Sequence, residues 1–182
     1  MLKQVDAAGQ AAKETSKAAL GMYGAVILLM ALSVFYAAGA QGLAVAAAKR
    51  ELPIYCVDRN DGKIAISFDA AWGGDQTEEI LNILDAYGVK TTFFLVDIWS
   101  ERFPELVKMI DARGHEIGNH STSHPHMTKL SAAQMAKELT AMDDRLEGLI
   151  GKRSKLFRPP YGDYNNLVVQ TARAQGYEVI QW

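Results

Sequence analysis

Two histidines in the stretch HEIGNHSTSHPH, residues 115–126, are the residues whose type and spacing best suit chemistry. All four histidines of the chain fall inside this stretch. His120 and His124 stand four positions apart, so one helical turn or a tight loop places both imidazoles on the same side. Imidazole is the commonest metal-binding side chain at neutral pH. The spacing therefore indicates a metal site, although ordinary loop histidines can share it, and further ligands must come from other elements.

Strand and helix patterns alternate from Lys63 onward and are joined by connections of a few residues. That alternation is typical of parallel βαβ units and predicts an α/β fold. Five parallel strands form either an open sheet or part of a (β/α) barrel. The predicted strands lie near Lys63, Thr91, His115, Lys155 and Tyr177.

Functional side chains are expected at one edge of this sheet, because the carboxyl ends of parallel strands lie together. Four polar residues come at or just beyond predicted strand ends, namely Asp69, Asp97, His120 and Arg158. Residues far apart in the sequence would then share one rim. Alternatively, Asp69 caps a helix, and Arg158, which precedes two prolines, is a surface residue in a rigid turn.

The segments between the strands predict four helices. These cover about residues 76–87, 104–112, 131–149 and 166–175, and Ser131 with Gln134 forms a capping box for the third helix. The charged residues of that third helix indicate a solvated face, and they are Lys137, Glu138, Asp143 and Arg145.

A hairpin is predicted before the first helix. Residues 53–57 and 63–69 have strand patterns, and the turn Asn60-Asp61-Gly62 joins them. This places the single cysteine, Cys56, in a half-buried strand, where a structural thiol is expected. One cysteine cannot form an intrachain disulfide. The formal net charge of −2 gives no indication of a nucleic-acid partner.

An apolar segment precedes the α/β region. No charged residue lies between Lys17 and Lys49, and residues 21–40 are apolar over about the 20 positions that a membrane-spanning helix needs. Lysines precede this segment, so the positive-inside rule keeps the N-terminus in the cytoplasm and exports the rest. We predict a cytoplasmic tail over residues 1–20, a transmembrane signal anchor and linker over residues 21–48, and an exported domain over residues 52–182. Ala38-Gly39-Ala40 also allows cleavage as a signal peptide, which would give a secreted protein.

Three motifs resemble the first three motifs of the NodB-type polysaccharide deacetylases, carbohydrate esterase family 4. They are SFDAAWG, GHEIGNHSTSH and RPPYGDYN, which begin at Ser67, Gly114 and Arg158 and come in the family's order. Each lies at a predicted strand end, and together they cover about residues 63–182. The pattern is most similar to the sporulation-associated branch of the family.

The resemblance implies a distorted (β/α) barrel and a membrane-anchored enzyme that hydrolyses acetyl groups of a cell-wall polysaccharide such as peptidoglycan. It implies Asp69 as the general base, His120 and His124 as ligands of a divalent metal such as zinc, and Arg158 as the residue that orients the base. Tyr161 lies in the loop whose backbone N–H helps to hold the oxyanion. These parts suit amide hydrolysis, because a metal activates water and a carboxylate takes its proton.

Two departures from the family pattern bear on activity. The family usually has a second aspartate as the third metal ligand, and this chain has Ala70 there. A metal would then bind weakly, take a water or substrate oxygen, or recruit Asp75 or Asp97. The later family motifs, which include a histidine general acid, would fall beyond Trp182. We therefore expect a domain that is incomplete at its C-terminus and inactive as these 182 residues alone.

A second function follows from the same departures. A non-catalytic member that has lost the metal carboxylate would bind glycan or have a structural role at the membrane. Trp72 and Tyr164 could stack on sugar rings or pack in the core. His126 is expected to be a solvent-exposed loop residue, while Asp97 and Glu116 are expected to be structural.

Overall fold

The computed structural model describes residues 16–17, 19–36 and 50–182, which fall into two units. In the first unit, α1 (Ala19–Tyr36) is an exposed helix that is long and apolar enough to cross a membrane. A signal sequence has the same length and composition, so the anchor and the cleaved leader both remain predictions. The predicted cleavage site at Ala38-Gly39-Ala40, the linker and most of the cytoplasmic tail lie outside the described residues.

The second unit, residues 50–182, is built on a parallel sheet whose five strands follow sequence order. All four strand pairs are parallel, which confirms the predicted βαβ units. The five strands lie near the predicted positions, but the first begins at Ser67, four residues after the predicted start at Lys63. Within the part of the chain that the structure describes, β1 forms one edge and the Ile54 bridge beside β5 the other, so closure into a barrel stays a prediction. The strands are β1 (Ser67–Ala70), β2 (Thr92–Leu95), β3 (Glu116–Asn119), β4 (Leu156–Phe157) and β5 (Glu178–Val179).

The four predicted helices are present, with ends that differ by at most two residues. A capping box opens the longest one, since the Ser131 and Gln134 side chains each accept a hydrogen bond from the other's backbone N–H. One further helix, α3 (Asp97–Arg102), is missed by sequence reasoning because six residues are too few to show a periodic apolar face. The others are α2 (Thr77–Ala86), α4 (Pro104–Ala112), α5 (Ala132–Ile150) and α6 (Asn166–Ala174).

Alternation along the strands separates the core from the site. Phe93, Leu95 and Ile117 are buried in a cluster with residues of α2, α4 and α5. Successive strand residues face opposite sides of a sheet, so the intervening positions Asp69 and Phe94 face away from these helices. The Asp69 side chain therefore lies on the face of the sheet opposite the helical core, at the end of its strand.

The predicted hairpin is wrong. Ile54 pairs in parallel with Ile180, through hydrogen bonds of 2.8 Å from the Ile54 N–H to Val179 and from the Gln181 N–H to Ile54. The turn does form a bend, and Gly62 has a φ of 69° there. Residues 53–57 can pair either with residues 63–69 or with the open edge of β5, and the local turn residues do not reveal the second possibility.

The burial predicted for Cys56 is also wrong. Residues 55–66 are not in a strand, and Cys56 is exposed. Because its segment pairs with no neighbouring strand, the alternation of apolar residues there does not create a buried face.

The predicted solvated face of α5 is wrong for three of its four residues. Asp143 is 7% exposed and accepts a hydrogen bond from the Ser154 backbone N–H at 3.2 Å. Arg145 forms an ion pair with buried Asp97 of α3. Glu138 accepts hydrogen bonds from the histidine loop, which is defined as residues 120–126, and Lys137 is exposed as predicted. A helix packed on several sides buries charged positions wherever a partner charge or a backbone N–H faces them.

Replacing Ser131 with alanine removes the capping box of α5. We expect the free energy of unfolding to fall by about 1 kcal/mol, because the Gln134 N–H loses its acceptor. Denaturant unfolding followed by circular dichroism measures the change. The exposed variant Lys137→Ala on the same helix is the control, with an expected change within about 0.5 kcal/mol. Equal losses in the two variants would contradict the role of the cap.

Candidate functional site

A cavity of about 530 Å³ opens at the carboxyl ends of the strands. Asp69, His120, His124 and Tyr161 line it, although they come from segments far apart in the sequence. Arg158 lies directly behind Asp69. The structure therefore brings all five predicted site residues together, as expected for residues at the ends of parallel strands.

The ion pair between Asp69 and Arg158 joins the first strand to the fourth. Nη1 of Arg158 donates to Oδ1 of Asp69 at 2.7 Å. Arg158 is 6% exposed, whereas the Asp69 carboxylate reaches the cavity. A guanidinium buried to this extent is very unfavourable without a carboxylate partner. The pair therefore fixes one oxygen of Asp69 and leaves Oδ2 facing the cavity.

His120 is fixed in orientation and tautomer. Its Nδ1 lies 2.6 Å from the backbone carbonyl oxygen of Arg158, which can only accept, so Nδ1 carries the hydrogen. Nε2 then holds a lone pair, and it lies 3.8 Å from Oδ2 of Asp69. Burial lowers the pKa of His120, and the Asp69 carboxylate opposes this in part. The neutral ring is the form that binds metal ions.

His124 lies beside His120, as the four-residue spacing predicts. The two ring centroids are 5.0 Å apart. The His124 backbone has a left-handed φ of 57°, and its N–H donates to Oγ of Ser121 at 3.0 Å. Its buried Nδ1 has no hydrogen-bond partner among the residues that the structure describes. Burial lowers the pKa of this imidazole as well, so both rings are neutral at neutral pH.

Glu138 of α5 holds the histidine loop, and sequence reasoning missed it. Its Oε2 accepts hydrogen bonds from the backbone N–H groups of Thr122 and Ser123 at 3.0 and 2.8 Å. Its Oε1 accepts from the Ser123 hydroxyl at 2.9 Å. Charge-assisted bonds of this kind are strong, and they hold the loop between the two histidines. No motif in the sequence marks Glu138 for this task.

Asn119 anchors the other end of the loop and was also missed, although it stands inside the histidine motif. It is fully buried, and its Oδ1 accepts from the Ser121 N–H at 2.8 Å. Its Nδ2 donates to the Leu139 carbonyl at 2.9 Å and to the Tyr177 hydroxyl at 3.0 Å. Burial raises the pKa of Tyr177, so this hydroxyl stays protonated. These bonds tie the start of the loop to α5 and to the segment before β5.

Tyr161 lies between two histidine rings. Its centroid is 4.5 Å from that of His124 and 4.3 Å from that of His126, on which it stacks. Its backbone has a left-handed φ of 59°, which is costly for a residue other than glycine. His126 is exposed, as predicted, and its Nδ1 lies 3.6 Å from Oδ2 of Asp163. The two rings thus pack around a strained backbone turn.

The two aromatic candidates for a sugar subsite lie in different places. Trp72 is 70% exposed, lines the cavity and contacts the His124 ring edge-on at 5.9 Å. Tyr164 is not among the lining residues. It packs against a second cluster of buried residues, which includes Phe157 and Val169, and its hydroxyl oxygen lies 2.6 Å from that of Tyr55. Trp72 therefore remains available to a ligand, and Tyr164 supports the fold.

The residues present offer a metal ion two protein ligands, the imidazoles of His120 and His124, whose centroids are 5.0 Å apart. Nε2 of His120 and Oδ2 of Asp69 are both acceptors and face each other, an arrangement that a cation or its bound water would stabilise. Ala70 offers no third ligand, and the Asp97 carboxylate is occupied by Arg145. Asp75 does line the cavity. Within residues 50–182, no group of three or more His, Cys, Asp or Glu side chains converges to hold a metal.

A parallel sheet that brings a carboxylate, an arginine and two imidazoles together at its carboxyl ends defines an α/β protein whose site lies at that edge of the sheet. The chain belongs to the NodB-type polysaccharide deacetylases, carbohydrate esterase family 4, because the polysaccharide deacetylase family matches residues 57–180. This confirms the resemblance of the three motifs.

Named relatives include both an enzyme and a pseudoenzyme. The chain is 35% identical over 123 residues to a peptidoglycan-N-acetylglucosamine deacetylase of Bacillus cereus, covering 68% of this chain and 45% of the relative. It is 32% identical, with a TM-score of 0.69, to the crystal structure of wild-type BA3943 of Bacillus anthracis, called a CE4 family pseudoenzyme, covering 72% and 47% of the two chains. A BA3943 mutant with restored enzymatic activity matches at 34% identity and the same TM-score, covering 72% and 48%. The chain spans about half the length of the curated relatives it matches.

Replacing Glu138 with alanine should release the histidine loop. The Thr122 and Ser123 N–H groups lose their acceptor, so we expect their protection against hydrogen exchange to fall. The free energy of unfolding should decrease by about 1–3 kcal/mol. Amide exchange followed by nuclear magnetic resonance measures the first effect and denaturant unfolding the second.

The matched control for this loop is Glu147→Ala, which removes an exposed glutamate of α5 that pairs with Arg153. It should leave the exchange of Thr122 and Ser123 unchanged. Unchanged exchange at these two amides in Glu138→Ala would show that the loop is held by other contacts.

Proposed function

We propose that this protein removes acetyl groups from an N-acetylated, peptidoglycan-like cell-wall polysaccharide. The observation that carries the proposal is the position of the Asp69 carboxylate. One of its oxygens is bonded to buried Arg158, and the other faces Nε2 of His120 in an open cavity. A carboxylate held in this way can accept a proton from a water molecule in a defined direction.

Asp69 is the general base in this proposal. Arg158 orients the carboxylate, because its Nη1 donates a charge-assisted hydrogen bond to Oδ1 at 2.7 Å. The water lies on the Oδ2 side, loses its proton to Asp69 and attacks the acetyl carbonyl carbon. The proton that Asp69 took then passes to the amide nitrogen and the carbon–nitrogen bond breaks, which releases acetic acid, ionised to acetate in solution, and leaves a free amine on the sugar.

His120 and His124 are the residues that would hold a divalent metal such as zinc. When bound there, the metal lowers the pKa of a water molecule and polarises the acetyl carbonyl. The Arg158 carbonyl keeps the His120 ring in the tautomer that a ligand needs, a common role for a group behind a metal-binding histidine. Because Ala70 has no carboxylate, the third ligand of such a metal would be a water molecule, a substrate oxygen or Asp75.

Tyr161 and Trp72 complete the proposed substrate site. The backbone N–H of Tyr161 stabilises the oxyanion, and its left-handed turn sets the direction of that group. The exposed face of Trp72 can stack on a pyranose ring next to the metal-binding histidines. We further propose that α1 anchors residues 52–182 on the outer side of the membrane, or is cleaved to release them.

A second function is favoured by one specific observation, which is Ala70 beside Asp69. Without a third protein ligand the protein could bind glycan without hydrolysing it. The likeness to a Bacillus anthracis pseudoenzyme at 32% identity supports this alternative. Retention of Asp69 and both histidines in one cavity, with Arg158 bonded to Asp69 behind it, supports the enzyme.

Replacing Asp69 with asparagine in the full-length, metal-loaded protein tests the general base. We expect acetate release from an N-acetylated peptidoglycan fragment to fall by at least about 100-fold, because the amide cannot take the proton. An enzymatic acetate assay measures it, and Asp144→Asn, which changes an exposed aspartate of α5, is the control. Activity retained in Asp69→Asn would overturn the assignment.

Replacing Ala70 with aspartate distinguishes the two functions. The added carboxylate should raise zinc affinity by at least about tenfold, because it supplies a third ligand next to the histidines. Competition with a chelating dye measures the affinity, and acetate release is measured in parallel. Release by the unchanged protein supports the enzyme, whereas release by the variant alone supports the pseudoenzyme. Unaltered zinc affinity would contradict the metal site.

A further inference from the structure

We propose that Phe94 and Gly118 form a platform that positions Arg158, and through it Asp69. This inference rests on the proposed function, because it assigns two positioning residues to the same site. Neither residue lines the cavity, so neither touches a substrate there. Their effect would pass through the guanidinium alone.

The platform follows from strand register. Asp69 pairs with Phe94, and Phe94 pairs with Gly118, so the three residues form one row across β1, β2 and β3. Directly paired residues face the same side of a sheet. Arg158 is the first residue after β4, and its N–H donates to the Asn119 carbonyl at 3.0 Å. Its side chain must pass over this row to reach Asp69.

The Phe94 ring supports the guanidinium directly. Cζ of Arg158 lies 3.9 Å from the ring centroid, and Phe94 is 1% exposed. Nε of Arg158 is buried and has no hydrogen-bond partner among residues 50–182. An aromatic face attracts a cation through its quadrupole, most strongly when water is excluded. The ring therefore stabilises a guanidinium group that has one nitrogen without a hydrogen-bond partner among these residues.

Gly118 makes room for this ring. A Cβ atom at Gly118 would lie 2.3 and 2.5 Å from Cδ1 and Cε1 of Phe94, closer than real carbon atoms approach. The requirement is one of space, because the φ of Gly118 is not in the left-handed region. The ring packs on the bare backbone of β3, and any side chain there would displace it and the guanidinium above it.

This arrangement separates the two halves of the site. The carbonyl of Arg158 holds His120, whereas the side chain of Arg158 holds Asp69. A change at Phe94 should move the Arg158 side chain and leave its backbone carbonyl in place, because the Arg158 N–H is bonded to the Asn119 carbonyl of β3. Loss of the platform should therefore impair the general base and spare the histidines.

The experiment compares Phe94→Leu, Phe94→Tyr and Gly118→Ala in the full-length protein. We expect kcat for acetate release to fall roughly 10- to 100-fold in Phe94→Leu and Gly118→Ala, with KM and zinc affinity unchanged. Phe94→Tyr keeps the ring and should retain kcat. The control is Ile110→Ala, a fully buried residue of α4, which should lower stability with kcat unchanged.

A spectroscopic readout tests the platform without activity. The Nε–H resonance of Arg158 should be shifted upfield by the ring current of Phe94, and this shift should disappear in Phe94→Leu and persist in Phe94→Tyr. If the unchanged protein releases no acetate, the proposed function fails. The position of the resonance still tests whether the Phe94 ring packs on the Arg158 guanidinium. An unshifted resonance in the unchanged protein, or an unchanged kcat in an active Phe94→Leu variant, would overturn the inference.

Discussion

The buried contact between Arg158 and Asp69 is the interaction on which the site depends. It joins the end of β4 to β1 across two intervening strands. The Arg158 side chain passes over Phe94 and Gly118, which form one row with Asp69 across the sheet, so no bulky side chain can stand at Gly118. A buried guanidinium needs a carboxylate, and the carboxylate in turn is held by that guanidinium. The same residue orients His120 through its backbone carbonyl, so one position just after β4 controls the base and an imidazole together.

Around this pair the chain adopts backbone conformations that are unfavourable in isolation. Ser121, His124 and Tyr161 all have positive φ without being glycine. Such residues persist where surrounding contacts determine them, and they concentrate at functional sites. Glu138 supplies those contacts for the histidine loop, while the ring of His126 packs on Tyr161. The long helix α5 therefore both covers the sheet and holds the histidine loop through Glu138.

Local pattern was enough for the regular elements, because periodic apolar residues and caps act between neighbours along the chain. It predicted the five strands and four of the five α-helices of residues 50–182, including the capping box at Ser131. It failed where a segment pairs with residues far away in the sequence, because Ile54 pairs with Ile180 and does not form the predicted hairpin. It also failed on α5, where Asp143 and Arg145 are charged yet have partners that no periodicity reveals.

The sequence by itself determined the chemical groups of the site and their placement at strand ends, since Asp69, His120, His124, Arg158 and Tyr161 stand in ordered motifs. It also determined that Ala70 offers no carboxylate. Only the tertiary structure decided which oxygen of Asp69 is bonded, which nitrogen of His120 is free, and that Phe94 and Glu138 support the site. The physical reason is that residue identity and strand ends are local properties, whereas these contacts depend on how separate strands and helices pack against one another.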